Sequence, residues 1–221
     1  VTLAESFNEM AGSLEAADRR RKQLTSDVAH ELRSPVTNII GHLDAVEDGV
    51  AAATPEHLGI ISAEAQRLHQ LIEDLGQLAE ADEGEIRLFR EEQNVGAIVS
   101  RAVEARQPGA VERGVQLSCD CPTAVASVDA SRIEQVVGNL VDNALTAVGE
   151  TGVVSVDVVA GAGHVHIAVN DNGPGIPDEL LGSIFDRLRR GDKARTPGDS
   201  GRGLGLAIAR ALVRAHGGDI T

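Results

Sequence analysis

The sequence contains almost no aromatic side chains and few cations. Three Phe and neither Tyr nor Trp occur among its 221 residues, so aromatic surfaces on which single-stranded nucleic acid could stack are scarce. The 20 Lys and Arg residues stand against 34 Asp and Glu, and the formal net charge of −14 repels a phosphate backbone. We therefore expect no nucleic-acid partner.

Long hydrophobic runs and cysteines are also scarce. The sequence has no run of eighteen apolar residues and no secretion signal, so we expect no membrane span within this chain. Cys119 and Cys121 cannot form a disulfide framework, and strand alternation predicts two buried thiols on one face. The 42% of hydrophobic and 24% of charged residues are typical of a globular protein.

Two long stretches near the N-terminus have helical periodicity. Apolar residues recur in alternating steps of four and three from Leu3 to Val28, which predicts a heptad seam. Thr54 can cap a second helix that begins at Pro55 and has its own seam over 58–79. These helices form an antiparallel hairpin, and two hairpins would pack as a four-helix bundle. The seams therefore predict a homodimer.

The pattern changes near Gly84 to short alternating runs separated by helical stretches. Alternation predicts strands over residues 85–89, 115–119, 153–159 and 164–169. Helical periodicity predicts helices over residues 95–105, 131–148 and 204–216. The predicted fold class is α+β, with a helical hairpin followed by an α/β domain.

The segment 27–35, with sequence DVAHELRSP, lies inside the first predicted helix. Pro35 lacks a backbone donor and crowds the carbonyl of Glu31, so we expect the helix to bend or loosen one turn after His30. The heptad numbering places His30 off the seam, toward solvent. An exposed histidine next to a carboxylate and near a bend is a candidate for chemistry, and a solvated surface histidine is the alternative.

Polar residues and glycines form three further motifs. Asn139 and Asn143 lie four apart on one helical face, where their carbonyl oxygens could meet a hard cation such as Mg²⁺. Asp171 follows a strand and accepts hydrogen bonds only, which suits the exocyclic amino group of adenine. Glycines that let a ligand approach the backbone, or that open a helix suited to phosphate, are Gly173, Gly175, Gly201, Gly203 and Gly205.

Five motifs in this order resemble the H-box, N-box, first glycine box, F-box and second glycine box of bacterial two-component sensor histidine kinases. They lie at residues 27–35, 139–144, 171–177, 184–192 and 201–206. The resemblance covers nearly the whole chain and implies three parts. These are the end of a HAMP linker or signalling coiled coil (1–18), a dimerisation and histidine phosphotransfer domain (19–83) and a catalytic ATP-binding domain (84–221).

The resemblance also implies roles for the residues of these boxes. His30 would be the phosphoacceptor that attacks the γ-phosphate of ATP, and Glu31 would be its general base or orienting partner. Ser34 stands where the family usually has Thr and would orient water, together with Glu31, for removing phosphate from the regulator. Asn143 would be the Mg²⁺ ligand supported by Asn139, and Asp171 would read adenine.

A cationic segment is implied to be the ATP lid. Between residues 187 and 202 six cations and two anions give a local charge of +4 in a strongly acidic chain. The resemblance assigns to nucleotide binding the lid residues Arg187, Arg190 and Lys193. The ATP-binding domain is implied to be an α/β sandwich of the gyrase, chaperone, histidine kinase and MutL type. We expect its C-terminal end to be truncated.

The implied function is an ATP-dependent protein-histidine kinase that passes its phosphoryl group to an aspartate in the receiver domain of a response regulator. We interpret the chain as the cytoplasmic portion of an inner-membrane sensor whose membrane segments lie in a missing N-terminal part. A dimeric nucleotide-binding scaffold without kinase activity is one alternative, and a general ATPase is another. Gln135 stands where hydrolysing relatives place a proton-accepting Glu and opposes the ATPase, although Glu134 is adjacent.

Overall fold

The computed structural model describes residues 3–50, 52–82, 86–149, 151–186 and 203–221. Two compact units divide the chain, Val1–Glu73 and Asp74–Thr221. Within the described ranges, no helix has both the length and the apolar character needed to cross a membrane.

The first unit contains the predicted helical hairpin. Helix α1 (Leu3–Glu47) continues through Pro35, whose ring is buried, and helix α2 (Pro55–Asp82) continues into the second unit. The predicted cap at Thr54 is present, because its Oγ1 accepts a hydrogen bond from the backbone N of His57 at 3.2 Å. The start of α2 is therefore determined by its local sequence.

Side chains also join the two helices of the hairpin directly. Nδ1 of His42 lies 3.1 Å from Nε2 of His57, and the two rings meet edge to face at an interplanar angle of 78°. One turn of α1 earlier, Nδ2 of Asn38 donates to Oε1 of Glu64. Large apolar side chains nevertheless remain exposed along the hairpin, namely Val36, Ile40, Leu43, Leu58, Ile60 and Ile72.

The second unit combines two small sheets with helices. Its elements after α2 are β1 (Glu91–Asn94), α3 (Val95–Glu104), α4 (Gln107–Glu112), β2 (Gln116–Asp120), β3 (Val125–Val128), α5 (Ala130–Ala147), β4 (Val153–Ala160), β5 (Val165–Asp171), α6 (Asp178–Leu181) and α7 (Gly205–Ala215). Strand β4 pairs parallel with β2 and antiparallel with β5, while β1 pairs antiparallel with β3. The predicted α+β class, a helical hairpin followed by an α/β domain, is confirmed.

The core of the second unit lies between the three-stranded sheet and the helices α3 and α5. Alternation in β4 buries Val154, Val156 and Val158 on one face of the sheet. Helix α7 packs on α5 and buries Leu204, Ile208 and Leu212, with the last two spaced one turn apart. Burial of these aliphatic side chains fixes α5 between the sheet and α7.

Several predictions about local structure need correction. Residues 86–89 of the predicted strand 85–89 are not a strand, and the strand in this region is β1, because residues 91–94 pair with β3. Strand β3 and the helices α4 and α6 were not predicted. The thiols are not both buried: Cys119 is exposed although Leu117, on the same face of β2, is buried, and Cys121 lies beyond the end of β2 and is half-buried.

Candidate functional site

Helix α5, which carries both N-box carboxamides, begins at a well-satisfied cap. Oδ1 of Asp129 accepts from the backbone N of Ser131 at 3.1 Å and of Arg132 at 3.2 Å, while Oδ2 accepts from the N of Phe89 at 3.0 Å. Burial of Asp129 opposes its ionisation, but these donors outweigh it and hold the pKa of the carboxyl below its ordinary 3.8. The cap therefore carries a negative charge at neutral pH.

A histidine from the end of α7 completes this cap. Nε2 of His216 accepts from the backbone N of Asp129 at 3.1 Å, so the ring carries its proton on Nδ1, which lies 2.8 Å from the carbonyl oxygen of Leu212. This arrangement needs the neutral imidazole. It links the start of α5 to the end of α7, and neither Asp129 nor His216 was singled out as important from the sequence.

The N-box contacts the second glycine box through Asn139. Its Nδ2 donates to the carbonyl oxygen of Gly205, the first residue of α7, at 3.1 Å. Asn143 lies one turn further along the same face of α5 and is exposed. The carbonyl oxygen of an exposed carboxamide is a suitable ligand for a hard cation. The described residues contain no cluster of three or more His, Cys, Asp or Glu that could hold a metal by itself.

The first glycine box lies at the end of β5, next to the last turn of α5. Oδ1 of Asp171 accepts from the backbone N of Gly173 at 2.8 Å. A Cβ on Gly173 would lie 2.7 Å from that oxygen and 3.1 Å from the carbonyl oxygen of Ala147, so a side chain there would displace the Asp171 carboxylate and crowd the backbone of Ala147. Gly175 has φ of +73°, which disfavours other residues. The exposed carboxylate is therefore held by a turn that requires glycine.

Other predicted residues are only partly described. Gly203, just before α7, has φ of +67°. Arg187, Arg190, Lys193 and Gly201 lie outside the described residues. The lid therefore stays a prediction.

The H-box lies in the middle of α1. His30 is part of this helix, but its side chain is outside the described structure, so its predicted exposure stays a prediction. Glu31 is half-buried, Ser34 is exposed and Pro35 is buried. The uninterrupted helix keeps His30 and Ser34 on one side, since they are four residues apart.

Gln135 shares the α5 face of Asn139 and Asn143. Its Nε2 donates to Oε1 of Gln77 at the end of α2 at 2.7 Å, and its Oε1 lies 3.3 Å from Nη1 of Arg132. Glu134 instead lies 3.8 Å from Arg101 of α3. The carboxylate next in sequence is thus directed to another helix, and the face of the N-box carries an amide that cannot accept a proton.

Two family models match the chain. Residues 20–84 match the His Kinase A (phospho-acceptor) domain, and residues 128–221 match the histidine kinase-, DNA gyrase B- and HSP90-like ATPase. The signal transduction histidine-protein kinase BaeS of Escherichia coli (strain K12) is 32% identical over 219 residues, which cover 99% of this chain and 47% of that protein. The chain belongs to the histidine kinase family.

Solved structures of histidine kinases share its fold. The histidine kinase AdeS of Acinetobacter baumannii is 26% identical with a TM-score of 0.68, covering 84% of this chain and 86% of AdeS. Full-length ShkA in complex with AMPPNP is 25% identical with a TM-score of 0.60, covering 89% of this chain and 41% of ShkA. The predicted sensor histidine kinase core is confirmed. The chain spans less than half the length of the curated relatives that it matches.

Proposed function

We propose that this histidine kinase core is an ATP-dependent protein-histidine kinase that phosphorylates His30. The observation that supports this most is the order of the two matched domains: a phosphoacceptor domain whose match includes His30 precedes a domain of the ATPase type. In the second unit, α5 contacts both glycine boxes, through Asn139 and through Ala147. The domain that binds ATP and the histidine that accepts the phosphoryl group are therefore different parts of one chain.

The nucleotide is proposed to bind at the end of β5 and beside α5. Asp171 accepts a hydrogen bond from the amino group of adenine, for which a carboxylate is suited and which guanine lacks at that position. The N-terminus of α7 and the glycines around it offer backbone N–H groups to phosphate. Arg187, Arg190 and Lys193 of the lid add positive charge. The complex of ShkA with AMPPNP supports binding of an adenine nucleotide.

Mg²⁺ is proposed to be held mainly by the phosphates, with Asn143 as the protein ligand. This fits the exposed carboxamide and the absence of a cluster of metal ligands among the described side chains. When bound, Mg²⁺ neutralises charge on the β- and γ-phosphates. Asn139 supports the site by tying α5 to α7.

The phosphoryl transfer is proposed to balance as follows. A ring nitrogen of His30 forms the new bond to the γ-phosphorus, and the bond from that phosphorus to the β–γ bridging oxygen breaks, so that ADP leaves. Glu31 accepts the ring proton or orients the ring. An aspartate of a receiver domain then takes the phosphoryl group from His30. Glu31 and Ser34 orient the water that later removes the phosphoryl group from that aspartate.

The oligomeric state, the partner, the domain boundaries and the location of this core are also proposals. Exposed apolar side chains on both helices of the hairpin support a homodimer with a four-helix bundle. The partner that receives phosphate is proposed to be a response regulator. The domain boundaries at 18/19 and 83/84, and a place on the cytoplasmic side of a membrane sensor, remain proposals.

Incubation with γ-labelled ATP and Mg²⁺ tests this function against its alternatives. We expect label on the protein that is acid-labile and base-stable, as a phosphoramidate is, and that is absent from His30→Gln. Asn143→Ala should reduce the rate of labelling without changing the fold. Unlabelled protein that still binds nucleotide would support the scaffold, and release of free phosphate alone would support the ATPase; either result would refute the proposal.

A further inference from the structure

A bidentate ion pair joins α5 to the residues that follow α3. Nε of Arg106 donates to Oδ1 of Asp142 at 2.9 Å, and Nη2 donates to Oδ2 at 3.0 Å. Nη1 of the same guanidinium donates to the carbonyl oxygen of Ala102 at 3.1 Å. The side chain of Arg106 is only 25% exposed. These three hydrogen bonds hold the planar guanidinium of Arg106 in one orientation.

Gly138 provides the space for this guanidinium. A Cβ at that position would lie 2.1 Å from Nη2 of Arg106 and 2.6 Å from its Cζ. Gly138 precedes Asp142 by one turn on the same face of α5. The two residues therefore form a notch on α5, one side open because glycine has no side chain and the other side acidic, and Arg106 fills the notch.

The notch lies beside the N-box face of the helix. Gly138 and Asp142 directly precede Asn139 and Asn143, and consecutive residues are about 100° apart around a helix axis. A rotation of α5 that moved the notch would turn both carboxamides by the same angle. The hydrogen bond from Asn139 to Gly205 shows that this face is already directed toward α7.

We infer that Arg106 is a positioning residue for the nucleotide site. Buried side chains hold α5 as a whole, and the fork on Asp142 adds a directional contact directly next to Asn143 that orients its carboxamide toward Mg²⁺. This rests on the proposed function of Asn139 and Asn143 as the magnesium-facing residues.

The test compares nucleotide affinity with and without Mg²⁺ in the full chain. Calorimetric titration with a nonhydrolysable ATP analogue is carried out once with Mg²⁺ and once with a chelator. Asp142→Asn and Arg106→Met should lower the affinity measured with Mg²⁺ by about tenfold, the lower range for residues that orient metal ligands. Affinity in the chelator should change little, because adenine recognition by Asp171 remains. General loss of structure would lower both affinities together.

Two further variants make the test specific. Arg106→Lys keeps the charge but cannot form the fork, so we expect it to behave like Arg106→Met. Arg101→Met is the matched control, because Arg101 of α3 also pairs with a carboxylate of α5, Glu134 at 3.8 Å, about two turns before Asp142. The affinity of Arg101→Met for the ATP analogue in the presence of Mg²⁺ should stay within about twofold of the wild type, since exposed ion pairs contribute little.

The outcomes separate this inference from the proposed function. If the wild type binds the analogue with Mg²⁺ and the Asp142 and Arg106 variants do as well, the positioning role is wrong and the proposed function stands. It is equally wrong if Arg101→Met loses as much affinity. If the wild type shows no magnesium-dependent binding, the proposed function fails and the inference fails with it. Asp142→Asn preserves shape at a half-exposed position, so it provides a result even if Arg106→Met does not fold.

Discussion

Replacing Asp129 tests how the helix that carries the N-box is held. In Asp129→Ala the backbone N–H groups of Ser131 and Arg132 lose their acceptor, which costs about 1 kcal/mol for an N-cap. The bond from the N–H of Phe89 is lost as well and adds about 1 kcal/mol. We expect the free energy of unfolding to fall by about 2 kcal/mol.

Asp129→Asn separates the two contributions. Its side-chain oxygen can still accept from Ser131 and Arg132, but its NH₂ group would face the N–H of Phe89, so that bond alone is lost. This variant should cost about half as much as Asp129→Ala. Ser131→Ala is a mild control, because it removes a hydroxyl that donates to Asp129 and leaves the backbone bonds in place.

The same substitution predicts a pH dependence. The pKa of Asp129 is lower in the folded chain than its ordinary 3.8, so the charged form stabilises the fold above that pH. The stability difference between wild type and Asp129→Asn should be constant near neutrality and shrink as the pH falls below about 3.8, through the folded-state pKa.

Calorimetric and circular-dichroism melts measure these differences. The chain has no Trp or Tyr for intrinsic fluorescence, and scanning calorimetry can separate the transitions of the two units. A loss of about 2 kcal/mol should lower the melting temperature by about 4–8 °C. An Asp129→Ala variant as stable as the wild type, or an Asp129→Asn variant equally damaged, would refute the assignment of these hydrogen bonds.

Two other predictions concern packing and thiol chemistry. Gly96→Ala should lower the free energy of unfolding of the second unit by about 1–3 kcal/mol in a denaturation experiment, because its Cβ would lie 2.1 Å from the carbonyl oxygen of Pro122. Gly109→Ala is the control, because the space around Gly109 is open, and it should leave this free energy unchanged or raise it. Burial, with a hydrogen bond between the Cys121 thiol and Cys119, raises the pKa of Cys121 to about 11. Iodoacetamide at pH 8 should therefore alkylate Cys119 first, as followed by mass spectrometry, and equal rates would contradict this.

Features set by neighbouring residues were predictable from the sequence. Thr54 followed by Pro55 marks a helix start within two positions, and the structure has α2 begin there. Alternating valines in 153–159 predict a strand, and β4 buries every second residue. The family boxes were recognisable for the same reason, since each is a short continuous run.

Features that depend on distant residues were not predictable in this way. Strand β1 has the polar sequence EEQN and forms by pairing with residues 125–128, so its own composition predicts nothing. Helix α4 contains Pro and Gly, which favour a loop reading. Arg106 and Asp142 are 36 residues apart, and no local spacing indicates that they meet. The ion pair beside the N-box therefore became visible only in three dimensions.

In the proposed mechanism, the second unit delivers the γ-phosphoryl group of ATP to one histidine of the hairpin. Peptide mapping by mass spectrometry at neutral to alkaline pH, after incubation with ATP and Mg²⁺, tests it most directly. We predict one phosphoryl group per chain, on His30, and none after incubation with the nonhydrolysable analogue. A phosphoryl group on any other residue, or none on the wild type while it binds ATP, would contradict this mechanism.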